Sequence, residues 1–209
     1  WFQVPSNVTT TLNGVWGTGA HDIWAVGARG TALHYTGGTG NGGGPRNTNI
    51  GASSVMNDRG VRVATAADAN GIGRLLDAFN LEYGEPTPGP DLLARRLTEL
   101  LAGGDTAVLV AEPGPEGLAV LRFRPALWSA GLECYLAELY VVPARRGHGV
   151  GRALLEAAIA VARARGADHM DLGTSEDDVA ARALYERLGF TNREGSPDGP
   201  VMYVYEREL

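Results

Sequence analysis

Hydrophobic spacing changes period repeatedly along this 209-residue chain, and each change marks a new element. Residues 137–142 are mostly apolar and aromatic, a strand pattern that stops at Pro143. A glycine-studded turn follows. Then Val150, Leu154, Ala157, Ala158 and Val161 recur at three- and four-residue spacing, with Arg152, Glu156 and Arg163 on the other side. That is an amphipathic helix whose apolar face needs a sheet to cover it. Upstream, residues 61–66 alternate as a strand, and Asp68 is placed to cap a helix carrying Ile72, Leu75, Leu76 and Phe79. Residues 85–90 break the chain with three prolines. Asp91 is then expected to cap a second helix with Leu92, Leu93, Leu97, Leu100 and Leu101 inward, ended by Gly103 and Gly104. Residues 107–111 and 117–123 read as a hairpin, and 132–142 as the strand after it. Downstream, 167–172 read as a strand and 177–189 as a helix. A last pair of strands is expected around the turn at 196–199.

Residues 1–60 follow a different pattern. They hold three of the four tryptophans and few charges, and 15–17, 23–27 and 31–35 read as short strands between glycine and aspartate turn signals. A fourth strand is expected at residues 1–4. Residues 39–60 are rich in Gly, Asn and Ser, the composition of a linker, so the chain divides into 1–38, 39–60 and 61–209. The run Leu-Asn-Gly-Val-Trp-Gly at 12–17, continued by Asp-Ile-Trp-Ala-Val-Gly at 22–27, resembles one blade of a β-propeller. The repeat occurs once. One blade cannot bury both faces of its sheet, so copies from different chains are expected to assemble into a ring. A sugar-binding module, a natural leftover and an engineered tag are the other readings of this segment, and the abrupt change of composition favours a fusion.

The turn after residue 142 carries candidate chemistry. Arg146, Gly149 and Gly151 stand as Arg-x-x-Gly-x-Gly at the start of a helix. Glycines let main-chain N–H groups approach an anion closely, and the helix adds unpaired N–H groups and the positive end of its dipole. A diphosphate suits such a turn. The dinucleotide fingerprint fits less well, because it needs Gly-x-Gly-x-x-Gly and an acidic ribose ligand.

Together with Ala-Leu-Tyr-Glu-Arg-Leu-Gly-Phe at 183–190, this segment resembles the GNAT acyltransferase superfamily, and the order of elements over 61–209 is that family's. The resemblance implies an α+β fold, with a mixed, mostly antiparallel central sheet flanked by helices. It also implies acetyl-CoA as acyl donor and a small-molecule or peptide amine as acceptor, attacking directly in a ternary complex. Arg146, Gly147, His148, Gly149, Val150, Gly151 and Arg152 would hold the diphosphate. Leu139, Tyr140 and Val141 would pair with the pantetheine arm, and Val141 N–H would also face the thioester carbonyl. The family often has an asparagine near residue 174; Thr174 stands there instead, either as a substitute or as part of a helix start with Asp177 and Asp178.

Tyr185 occupies the position of the family's thiolate-protonating tyrosine; its other reading is a core residue. Glu138 is a candidate general base, or else a structural carboxylate paired with arginine. Glu82, Tyr83 and Trp128 are candidate acceptor ligands, since carboxylates beside aromatics suit an ammonium.

Composition narrows the rest. All 18 basic residues are arginine, which removes Schiff-base and P-loop lysine chemistry. A formal charge of −6 argues against a nucleic-acid partner. Cys134 is the lone cysteine, so an intrachain disulfide and a cysteine zinc site are excluded, and the residue reads as a small hydrophobe. His148 and His169 have no metal-ligating company, and no metal is expected. Without a membrane-length apolar run or a basic leader, a soluble cytoplasmic protein with no membrane partner is expected.

Overall fold

The computed structural model describes the backbone of Leu12–Gly19, Asp22–Gly27 and Ala32–Thr36, together with residues 60–207. The first three segments are β1 (Leu12–Gly19), β2 (Asp22–Gly27) and β3 (Ala32–Thr36), an antiparallel meander in that order. Trp24 stands opposite Trp16 on one side and His34 on the other. The three strands read from sequence are therefore formed. The fourth, at residues 1–4, and linker residues 39–59 lie outside the described residues.

From residue 60 the chain builds a five-stranded sheet in sequence order: β4 (Val61–Val63), β5 (Thr106–Ala111), β6 (Gly117–Pro125), β7 (Leu132–Val141) and β8 (Ala167–Leu172). All neighbours are antiparallel except β7 and β8, which run parallel and are joined by α3 (Val150–Ala164). Helices α1 (Ala69–Tyr83) and α2 (Pro90–Gly103) cover the other face, and α4 (Val179–Arg187) follows β8.

This layering explains why β5 reads as a continuous apolar run. Ala107, Leu109 and Ala111 join the core under α3 with Leu154, Leu155 and Ala158. Val108 and Val110 join Ile72, Leu75, Ala94 and Leu97 under α1 and α2. Among the described residues, no helix is long and apolar enough to cross a membrane.

Three local expectations are corrected. Asp68 precedes α1, but its carboxylate turns back, accepting from Thr65 N at 2.7 Å and from Arg62 Nη2 at 2.7 Å. A guanidinium beside it is a stronger partner than a helix amide, and holds the carboxyl well below its usual range. The α2 N-cap is Gly89 rather than Asp91, because Pro90 takes the first helical position, where its missing N–H leaves no bond unmade. The last two strands reduce to a single antiparallel bridge between Arg193 and Val201. Glu194 N donates to Pro200 O at 3.0 Å, yet Pro200 has no N–H to return the bond, so the ladder stops there.

Helices α1 and α2 cross closely at Gly73, where a Cβ would lie 2.5 Å from Pro90 O and 3.0 Å from Ala94 N. Alanine is the better helix former by about 1 kcal/mol. Overlap with a fixed backbone outweighs that gain, so Gly73→Ala is expected to destabilise the domain by about 1–3 kcal/mol. Chemical denaturation checks this; an unchanged or higher midpoint contradicts the close crossing.

Candidate active site

The site begins where two strands part. Parallel pairing of β7 with β8 ends at Leu136 opposite Leu172, whereas β7 continues to Val141 paired only with β6. One edge of residues 137–141 is thus left without a strand neighbour. A register shift against Val120 and Leu121 leaves Ala137 as the extra residue of a bulge, a device that re-aims neighbouring side chains. Leu139 and Val141 pack on the α3 side, while Tyr140 is buried on the α1 side. The gap opens into a cleft of about 630 Å³.

The glycine turn closes one end of it. Gly147 has φ 77°, and Gly149, the N-cap of α3, has φ 82°. These are left-handed conformations that glycine adopts at no steric cost. No side chain caps α3, so its first N–H groups stay available to an anion. A Cβ built on Gly147 or Gly149 would have nothing within 4 Å, so the bend is not sealed by side chains. Gly149→Val would place a β-branched residue in a conformation it strongly avoids. Acetyl-CoA affinity measured by calorimetry is expected to fall about tenfold or more, the equivalent of the 1–2 kcal/mol strain of that conformation. Unchanged affinity would remove the turn from the coenzyme site.

Most residues singled out from sequence converge here. Glu138, Leu139, Tyr140, Val141, Arg146, Gly147, Gly151, Thr174, Tyr185 and Tyr83 all line the cleft. His148, Gly149 and Val150 line a neighbouring cavity of about 300 Å³ on the other side of the turn. His148 Nδ1 lies 2.8 Å from Arg146 O. Arg152 turns to Glu156, 2.8 Å away on the same helix, and is absent from the cleft wall. Asp178 accepts from Ala181 N at 3.0 Å and is the α4 cap.

Trp128 falls elsewhere. It is 93% exposed in the β6–β7 turn, at the opposite end of β7 from Val141, and does not line the cleft. Its turn alternates poorly and gave no clue to which end of the sheet it would occupy. Glu82 also lies outside the lining: its carboxylate takes Arg146 Nη1 at 2.7 Å and the hydroxyl of Tyr140 at 3.0 Å. The Arg146 guanidinium holds the Glu82 carboxyl below its usual range, with the Tyr140 hydrogen bond adding to it. Arg146 Nε also donates to Val141 O at 2.9 Å, so one side chain ties the turn, the strand end and α1 together.

Sequence reasoning missed Phe79 as a wall of the site. Its ring stacks on Tyr140 with centroids 5.0 Å apart and meets Tyr83 edge-on at 5.3 Å. The helical spacing from Ile72 through Phe79 marked it as apolar, but not as the boundary between core and cleft.

The titratable groups are set by burial. The Glu138 carboxylate makes no hydrogen bond or ion pair with a described residue, and desolvation raises it above the ordinary range. Tyr185 is pushed up to about 12, chiefly by burial and then by the nearby Asp178, so it holds its proton at neutral pH. Cys134 is fully buried and pushed up to about 11 by desolvation first, which keeps it a thiol and unsuited to attack.

Comparison with known proteins places this arrangement. A sequence model described as the Acetyltransferase (GNAT) family matches residues 72–190, more than half of the chain. The chain is similar to a crystal structure from Arthrobacter sp. FB24 that carries an acetyltransferase name, with TM-score 0.67 and 47% identity over 75% of this chain and 99% of that one. It is 30% identical over 139 residues to the uncharacterized N-acetyltransferase YhfO of Bacillus subtilis, covering 65% of this chain and 91% of that protein. A mycothiol acetyltransferase from Beutenbergia cavernae is 41% identical over 69 residues, 32% of this chain. The chain spans only 23% of that protein and 25% of the yeast N-alpha-acetyltransferase 40. A divided sheet, an uncapped glycine turn and these matches lead to one assignment: the chain belongs to the GNAT family of N-acetyltransferases.

Proposed function

We propose that residues 61–209 transfer an acetyl group from acetyl-CoA to a primary amine, both bound at once in the cleft between β7 and β8. The observation that carries this reading is the parting of those strands beside an uncapped, glycine-lined helix start. Main-chain N–H groups of residues 147–152 would grip the diphosphate, and residues 139–141 would offer the pantetheine arm an edge with no strand neighbour, on which, among the described residues, only the Val141 carbonyl is already held, by Arg146. Acetyl-CoA, when bound, supplies an activated acetyl thioester.

Glu138 takes the proton that the attacking amine must lose, and Tyr185 returns a proton to the departing sulfur. Solvent restores both groups for the next cycle. Val141 N–H is the donor assigned to the developing oxyanion. Arg146 N–H already donates to Pro143 O at 3.3 Å, so Arg146 acts through its side chain, as a tie to Glu82 and to Val141 O. A thiol-release assay of the purified chain against amines, polyamines and peptide N-termini tests the reading; coenzyme binding with no thiol release from any amine would reject it.

We infer further that residues 1–38 act as a self-associating module. The support is their three-stranded meander, since so small a sheet is marginal alone and gains stability from covering its faces. Removing residues 1–60 is expected to convert an oligomer to a monomer in light scattering while leaving the rate per site unchanged. An unaltered mass would reject the assembler, and lost glycan binding on deletion would favour the sugar-binding reading.

A further inference from the structure

The charges in the cleft do not balance. Among its lining residues the cations are Arg145 and Arg146, and each is met by a glutamate from outside the lining. Arg145 Nε donates to Glu116 Oε2 at 2.9 Å, and Arg146 Nη1 lies 2.7 Å from Glu82 Oε1. Two lining carboxylates, Glu85 and Glu138, make no side-chain hydrogen bond or ion pair with any described residue. Glu85 follows the left-handed cap of α1 at Gly84 and is held there by its own N–H, which donates to Asn80 O at 2.9 Å. The same cleft is lined by the aromatic cluster of Phe79, Tyr83 and Tyr140, a surface suited to alkyl chains and to cations.

The field extends along β7. Asp171 stands opposite Tyr135, and its Oδ1 is buried without a hydrogen-bond partner. The Tyr135 phenol is pushed up by burial first, and then by the charges of Glu138, Asp171 and Glu206. A ligand carboxylate entering the cleft would meet Glu85 and Glu138 and, among the described lining residues, no guanidinium without a carboxylate partner. A second ammonium would meet an unpaired carboxylate.

We propose that the acceptor carries a second cationic group beside its reacting amine, with Glu138 facing the amine that reacts and Glu85 facing the other charge, and that amines bearing a carboxylate are rejected. The inference rests on the acetyl-transfer reading for the identity of the reacting amine. Its selectivity follows from the charge pattern alone.

Calorimetric titration of the full chain, saturated with coenzyme A, tests it. The probes are the diamines of propane, butane and pentane, the matching monoamines and the matching ω-amino acids. The best diamine is expected to bind about tenfold more tightly than its monoamine, and the ω-amino acids to show no measurable binding. Glu85→Gln is expected to bring the diamine-to-monoamine ratio close to one. Equal binding of diamine and monoamine by the unmodified protein, binding of the ω-amino acid, or an unchanged ratio in the variant would each overturn the proposal. Replacing coenzyme A by acetyl-CoA and reading thiol release separates the two readings. Diamine-selective binding without release sinks the transfer reaction and leaves the selectivity; equal release with every amine sinks the selectivity and leaves the transfer.

Discussion

Glu138→Gln is expected to lower kcat at neutral pH by about a hundredfold or more, the usual worth of a positioned general base. Acetyl-CoA affinity should change by less than about twofold, because the proposed grip on the coenzyme comes from the turn and from main-chain groups rather than from this side chain. Glutamine keeps the shape of the residue and removes its ability to accept a proton. The pH profile gives the sharper check. Burial raises the Glu138 carboxyl, which favours the protonated form. A base works only when deprotonated, so the rate should fall as pH drops through that raised pKa, starting above the ordinary carboxylate range. The variant should lose this limb. Equal rates, or an acid limb retained in the variant, would assign the proton transfer to another group.

Tyr185→Phe is expected to reduce kcat by about ten- to a hundredfold, less than the base substitution, because a thiolate leaves readily without full protonation. The phenylalanine keeps the edge-on contact with Phe190, whose ring centroid lies 6.1 Å away, and so preserves the wall of the cleft. Coenzyme binding should stay within about twofold of the parent, since the lost group acts on the departing sulfur rather than on the bound ground state. Single-turnover measurement with saturating acetyl-CoA isolates the chemical step. An unchanged rate there would make Tyr185 a core tyrosine and nothing more.

Much of this architecture could be read from periodicity. The helix at 150–164 announced itself through its apolar stripe, and β5 through its unbroken apolar run, because both lie against a covered sheet. The glycine turn was legible from Arg146, Gly149 and Gly151, and of these glycines Gly149 is held left-handed, a conformation Gly147 shares and Gly151, inside the helix, does not. The same reasoning erred where a local preference met a stronger tertiary partner. Asp68 has a capping side chain, yet Arg62 claims it from six residues away. Residues 201–206 are mostly β-branched and aromatic like a strand, but Pro200 just upstream removes a donor that a two-stranded ladder needs.

Within the cleft, most lining residues were readable and their pairing was not. Glu82 and Glu85 look alike in sequence beside aromatic neighbours. Only the fold reveals that Arg146, 64 residues away, neutralises the first and leaves the second unpaired. Trp128 failed for a related reason: nothing in a turn says at which end of the sheet it will emerge.

The glycine turn has a consequence for how this protein can change over time. The proposed hold, made of peptide amides, does not depend on which side chains the turn displays, and those of His148 and Arg152 are engaged locally, the former beside Arg146 O at 2.8 Å and the latter in an exposed helix pair of the kind that adds little stability. On the proposed function, the surface charge around the turn can therefore drift widely while a main-chain grip on the coenzyme persists, so long as Gly147 and Gly149 keep their left-handed backbone.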